Sequence, residues 1–305
     1  MKGLKFFILL FPLFGLVSGC MYENYIEDYD YTGVYFGTQK PLRTIVARES
    51  NTMQIKFGVA LGGVRENSKD HWVKFRLDPG LLQTVPGASA YTMLPDAYYS
   101  MILPFGDSTF IIPSGKTIGD LVLSINKSEF TSDPFATTKY YALPIRIYET
   151  SADSILKGNE IVSAKDYTII VIKYIDEKSG TYYVKGVETD NTTNISTTYS
   201  FSDLIKNKTR DLSTLSLDRI EMGGLGTRNA SSLFKLLITL NVDKSVSIST
   251  AIGGVTVVDM GSSYDVVNKI FNLKYSYVFD NKMYTVDEQI IQRQDPELDL
   301  RFEEW

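Results

Sequence analysis

Apolar and polar residues alternate with a period of two along most of this chain, and no window longer than about 12 residues carries an i, i+3, i+4 apolar stripe. Alternation sends successive side chains to opposite faces of an extended backbone, so the chain is built for strands with one face buried. Ile55-Lys56-Phe57-Gly58-Val59, Trp72–Leu77, Ile145–Tyr148 and Tyr167–Ile172 are the clearest cases. Gly and Pro punctuate them at Gly62-Gly63, Asp78-Pro79-Gly80, Val85-Pro86-Gly87 and Pro113-Ser114-Gly115, where turns need their backbone geometry. Only Leu77–Gln83 and Ser200–Lys206 suit a helical turn or two. At 305 residues the chain has length for about two domains, and 44% apolar against 22% charged residues excludes a disordered protein.

The expected fold is therefore all-β, in two parts. Residues 33–176 read as an immunoglobulin-like β-sandwich whose continuous apolar run, Tyr167–Ile175, forms a central or closing strand. Asp176-Glu177-Lys178-Ser179-Gly180 marks the boundary. Residues 180–305 read as an antiparallel β-barrel-like (lipocalin-like) domain, with a second sandwich as the alternative; closure has the advantage of removing exposed edges. Asp280-Asn281-Lys282 reads as a hairpin turn.

The N-terminus places the protein. Lys2 and Lys5 precede an apolar run from Phe6 to Val17, too short to span a bilayer, and Ser18-Gly19 leads into the sole cysteine, Cys20. This is a signal peptide over 1–19 followed by what looks like a bacterial lipobox, with Cys20 as the lipidation site and 20–32 as a flexible tether. Loss of Lys2 and Lys5 leaves 29 positive against 36 negative side chains, a mature net charge of −7. The acids Glu23, Glu27, Asp28 and Asp30 resemble the surface-export signal of Bacteroidota lipoproteins. The expectation is a lipid-anchored outer-membrane protein facing the cell exterior, its acyl chains holding it to the membrane.

Composition removes much of the enzymatic repertoire. One Cys excludes an internal disulfide, and one His, His71, excludes sites that need two imidazoles. Neither a Gly-x-Ser-x-Gly elbow nor a calcium loop is present, so no catalytic residue, metal ligand or cofactor is assigned. Gly223-Gly224-Leu225-Gly226 lacks the Lys-Ser/Thr of a phosphate loop and reads as a flexible turn. Acidic charge with no basic cluster excludes nucleic acid as a partner. Asp107-Ser108-Thr109 and Asp153-Ser154-Ile155 resemble a Bacteroidota O-glycosylation pattern. Sugar binding uses aromatic faces flanked by hydrogen-bonding side chains, and the ligand-binding candidates are Tyr199, Tyr264 and Trp305.

Four ordered blocks carry a family resemblance. Val73-Lys74-Phe75-Arg76-Leu77-Asp78-Pro79-Gly80-Leu81-Leu82, Tyr91-Thr92-Met93-Leu94-Pro95-Asp96-Ala97-Tyr98-Tyr99, Ile112-Pro113-Ser114-Gly115-Lys116 and Tyr140-Tyr141-Ala142-Leu143-Pro144-Ile145-Arg146-Ile147 resemble the N-terminal module of a family of Bacteroidota surface lipoproteins, a domain of unknown function typically encoded near SusC/SusD-type glycan-uptake systems. Phe271–Tyr277 and Val286–Arg293 resemble the barrel-like partner domain of some members. The resemblance implies non-catalytic capture of a polysaccharide or oligosaccharide at the cell surface, with a SusC/SusD-like outer-membrane complex as a partner. An adhesin or scaffold subunit is one alternative. A surface glycoside hydrolase using an Asp/Glu pair is the other, although the Asp-x-x-Asp-x-Asp-x-Glu signature of the hydrolase domain in some relatives is absent and too little chain follows the boundary for its (β/α)8 barrel. The shared blocks are of fold-shaping type and transfer no binding residue.

Overall fold

The structure, a computed structural model, describes residues 31–103, 106, 108–243 and 245–305. The signal peptide 1–19, the lipidation site Cys20, most of the tether and Asp107 lie outside the described residues. The regular structure of the described residues is predominantly strand, as the alternation requires, with helices no longer than the six residues Lys127–Ser132.

Two sheets pack face to face in the first module. One runs in the order Ser154–Ile155, Gly33–Tyr35, Gln54–Gly62, Ile118–Ile125, Tyr99–Ile102. The other runs Glu303–Glu304, Pro41–Ala47, Tyr167–Asp176, Tyr141–Thr150, His71–Leu77, Thr109–Ile112, with Thr92–Met93 added beside Tyr141–Thr150. Alternate residues of Gln54–Gly62 are buried, which sends Phe57 inward onto Phe75 and Phe110 of the opposing sheet, with centroids 6.4 and 5.5 Å apart. Phe110 also meets Phe36 at 6.1 Å, so four rings tie the two layers together.

The run Tyr167–Asp176 lies between a parallel neighbour, Pro41–Ala47, and an antiparallel one, Tyr141–Thr150. It is apolar on both faces because both are covered. Ile170, Ile172 and Tyr174 face the inter-sheet core, while Ile169 and Val171 pack under the short helix Leu81–Thr84 and its neighbours Val85 and Ala88.

After Ser179 the chain pairs within a single ten-stranded sheet. Its path is Val246–Thr250, Lys235–Leu240, Arg219–Gly223, Lys208–Thr214, Gly180–Asp190, Lys282–Gln292, Ile270–Phe279, Val257–Asp259, with Ile195–Tyr199 and Ser263–Asp265 as side branches. The two ends meet where the Val257 N–H donates to Thr250 Oγ1 at 3.0 Å, so the sheet is a nearly closed barrel. Its long hairpin turns at Asp280-Asn281, both at positive φ (52° and 59°), with Phe279 opposite Lys282. That two-residue left-handed turn is the geometry Asp and Asn tolerate and strand twist favours.

The span 180–305 does not end as a barrel. Beyond Gln292 the chain returns to the sandwich: Glu303–Glu304 pairs with Pro41–Leu42, and Trp305 N–H donates to Lys40 O at 3.0 Å. Arg48 fastens the returning segment, donating from one nitrogen to Asp295 at 2.7 Å and to Glu297 at 2.8 Å. The Arg48 hydrogen bond holds the Asp295 carboxyl below its ordinary value despite partial burial. A depressed folded pKa contributes stability that is full above the unfolded value of about 3.9 and lost as pH falls through the lower folded value. Acid should therefore release the tail early, and Arg48→Ala should release it at neutral pH. Hydrogen exchange at amides 297–305 checks this: the expected result is lost protection there with the strand Gly180–Asp190 unchanged, and unchanged tail protection would refute it.

Candidate functional site

The first strand carries a concave surface with aromatic walls. Val34 and Phe36 point into the core, so Tyr31, Gly33 and Tyr35 share the outer face. Gly33 stands opposite Gly62, and the sheet between the two tyrosines has no side chain at either position. The result is a trough of about 550 Å³ with a glycine floor. Close approach explains the glycines: a Cβ on Gly33 would come 2.5 Å from Leu156 Cδ1, and one on Gly62 would come 3.1 Å from the Tyr35 ring. Gly63 has φ +92°, and a Cβ there would overlap the Tyr31 carbonyl.

The walls are held from two sides. Asp153 accepts from Thr32 N–H at 2.7 Å and Thr32 Oγ1 at 2.6 Å, and those bonds hold its carboxyl below the usual range. Ser154 N–H donates to Thr32 O at 3.1 Å and Leu156 N–H to Val34 O at 3.1 Å, fixing the edge strand against the floor. Asn159 Oδ1 accepts from the amides of Ile161 and Val162, which rigidifies the rim and leaves its amide nitrogen available to a ligand. Lys157 completes the polar rim, and Lys165, outside the lining, places its Nζ 5.5 Å from the Tyr35 ring centroid. Tyr31 is 60% exposed, a large aromatic face with little packing function of its own. Such a trough can stack one flat apolar face of a ligand and hydrogen-bond its edges. The sequence signal was Tyr31-Thr32-Gly33-Val34-Tyr35, two aromatics and a glycine on one face; the opposing Gly62 is distant in sequence, so the trough itself was not legible.

The three tyrosine and tryptophan candidates do not converge. Trp305 packs on the sandwich, with Nε1–H donating to Ile169 O at 2.7 Å, its ring edge-on to Tyr91 and Lys40 Nζ 4.9 Å above it. It fills a hydrophobic niche rather than presenting a stacking face. Tyr264 leans on Phe271, with centroids 4.3 Å apart, and lines a cleft of about 250 Å³ at the module junction together with Glu49, Glu177, Lys178, Asn241 and Gln292. Burial and then the nearby carboxylates Glu177 and Asp176 push its hydroxyl up to about 12.

Tyr199 is 9% exposed and faces the barrel interior, where its hydroxyl donates to Glu288 Oε2 at 2.7 Å. This corrects it from stacking surface to buried polar network. Glu288 also accepts from Tyr275 Oη at 2.7 Å and Arg210 Nη1 at 2.6 Å. Burial alone would lower the Arg210 pKa, and the Glu288 carboxylate more than reverses that. Arg210 Nη2 donates to Gly226 O at 2.6 Å, and Gly226 N–H donates to Tyr275 Oη at 3.0 Å. A second carboxylate, Glu188, accepts from Thr227 N–H at 2.9 Å, Thr227 Oγ1 at 2.8 Å and Tyr277 Oη at 2.9 Å. The segment Gly223–Arg228 is therefore not a flexible turn. It is a plug, with Leu225 fully buried in the barrel core and its backbone bonded to two buried carboxylate clusters.

His71 is buried at a strand start with Nδ1 unpartnered, and burial lowers its pKa. Among the described residues no group of three or more His, Cys, Asp or Glu side chains could hold a metal ion, and no helix is long and apolar enough to cross a membrane.

A family model described as a "-like, N-terminal domain" matches residues 28–154, which includes Tyr31, Tyr35 and the glycine floor. The match is to a module, not to the whole chain. No curated protein matches. Among solved structures, a protein of unknown function from Bacteroides ovatus is similar at 17% identity and TM-score 0.70, over 87% of this chain and 95% of that one. This likeness shows a shared two-module fold. A multidomain Bacteroides ovatus protein including DUF1735 (14% identity, TM-score 0.43, 90% of this chain and all of that one) and an auxiliary nutrient binding protein from Bacteroides thetaiotaomicron (16%, 0.41, 93% and all) are more distant in shape.

Proposed function

We propose that the protein is a non-catalytic saccharide-binding lipoprotein, anchored through Cys20 and displayed on the outer membrane, where it supports a polysaccharide-uptake complex of the SusC/SusD type. The observation that carries the binding role is the glycine-floored trough between Tyr31 and Tyr35. A pyranose presents one face of C–H groups and a belt of hydroxyls; aromatic walls suit the face, and Asn159, Ser154 and Lys157 suit the belt. Walls held by hydrogen bonds reduce the ordering cost of binding.

Affinity electrophoresis of the chain from Cys20 onward against a polysaccharide panel tests this. Retention by at least one polysaccharide is expected, and Tyr35→Ala should weaken it about tenfold, since about 1.4 kcal/mol corresponds to that factor. No retention on any polysaccharide, or retention indifferent to Tyr35→Ala and Tyr31→Ala, would remove the trough from the argument. Release of oligosaccharides during the incubation would overturn the non-catalytic part.

A further inference from the structure

The plug borders a further pocket, of about 210 Å³, on the barrel module. Strand Lys208–Thr214 pairs with Gly180–Val184 along 208–212, but meets Arg219–Gly223 only from Leu212 onward. On that side residues 208–211 have no partner strand, and the gap opens toward Gly223, Arg228 and Asn229. Three cationic side chains line it, Lys208, Arg210 and Arg228, against one carboxylate, Asp211, in a chain whose net charge is −5.

Each cation is fixed in place. Lys208 Nζ donates to Thr227 O at 3.1 Å, and Arg210 spans Glu288 and Gly226 O. The Arg228 guanidinium carbon lies 5.4 Å from the ring centroids of Phe279 and Tyr284 and 5.9 Å from that of Phe234, so the planar group is held among aromatic rings. Its Nε is buried with no hydrogen-bond partner. The carboxylates facing these groups are Glu288, bonded to Arg210, Glu188, whose charge reaches Arg228 from the barrel interior, and Asp211, which accepts from Thr181 Oγ1 at 2.8 Å. Neither Lys208 nor Arg228 forms a salt bridge among the described residues. A small cavity lined by two cations without a salt-bridge partner, Lys208 and Arg228, beside Arg210 and only one lining carboxylate, suits an oxyanion.

We propose that this pocket is an anion subsite that takes the carboxylate or sulfate group of an acidic saccharide. The saccharide half of that statement rests on the function proposed above; the anion half does not. Isothermal titration of the chain from Cys20 onward with galacturonate, galactose and sodium sulfate tests both. Galacturonate should bind at least tenfold more tightly than galactose, sulfate should compete with it, and added salt should weaken it. Lys208→Gln, an exposed position that leaves the plug's other bonds intact, and Arg228→Gln should each reduce the preference for galacturonate at least fivefold. Tyr35→Ala should leave that preference unchanged, which separates this pocket from the trough. Equal binding of galacturonate and galactose, or a preference that survives both charge substitutions, overturns the proposal. Binding of sulfate without galacturonate overturns its saccharide half.

Discussion

Glu288→Ala should destabilise the barrel by about 3–5 kcal/mol, because it removes the carboxylate that neutralises a fully desolvated Arg210. The Glu288 side chain is wholly buried and Arg210 nearly so, and each is left poorly solvated when its partner is lost. Two tyrosine hydroxyls, on Tyr199 and Tyr275, lose their acceptor at the same time. A loss of that size is a large fraction of the stability of an ordinary domain, about 5–15 kcal/mol. The two tryptophans make the effect separable by module. Trp72 lies in a sandwich strand and Trp305 packs on the sandwich, so tryptophan fluorescence follows the first module while far-UV circular dichroism follows both. In urea the variant should show an early dichroism transition that fluorescence does not share. Coincident transitions, or a loss under about 1 kcal/mol, would contradict the buried network. Replacing both partners, Arg210→Met with Glu288→Met, should recover part of the loss, because no uncompensated charge is left inside. Recovery should be incomplete, since Gly226 O and the tyrosine hydroxyls still lack partners.

Gly226→Ala should cost about 2–5 kcal/mol. Gly226 has φ +51°, where a Cβ costs about 1–2 kcal/mol. That Cβ would also overlap the Glu188 carboxylate, and displacing it breaks the bonds from Thr227 and Tyr277 that seat the plug, a further penalty of the size of core overpacking, about 1–3 kcal/mol. Thermal unfolding followed by dichroism should report the shift. Protection of the amides at Gly226 and Thr227 against hydrogen exchange should fall more than protection in strand Ile270–Phe279. A substitution tolerated with less than 0.5 kcal/mol lost, roughly the level of an ordinary surface change, would mean that the plug is not seated as described.

Several elements were readable before any tertiary contact was known. Asp280-Asn281 announces a hairpin by residue type alone, because few residues accept positive φ in succession. The continuous apolar run Tyr167–Ile175 announces burial on both faces, although not that its second cover is the helix Leu81–Thr84. The candidate ligand residues fared differently. Trp305 reads in the sequence as an aromatic free to stack, but its indole N–H has a backbone acceptor on a strand 136 positions away, which nothing local reveals. Tyr199 sits in a Thr- and Asn-rich stretch that reads as exposed, yet the pairing of Gly186–Asp190 with Ile195–Tyr199 turns its side chain inward onto Glu288. The pair Gly33 and Gly62 is unremarkable in sequence and becomes a floor only when the two strands align.

The period of alternation, the turn residues and the chain length determined on their own that this protein is all-β and in two parts, since each acts on the backbone within a few residues of itself. Register decided the rest. Which tyrosine faces outward, which glycines stand opposite each other and whether Lys208, Arg210 and Arg228 share a pocket depend on how strands distant in sequence are paired, and a slip of one residue would send every one of those side chains to the other face.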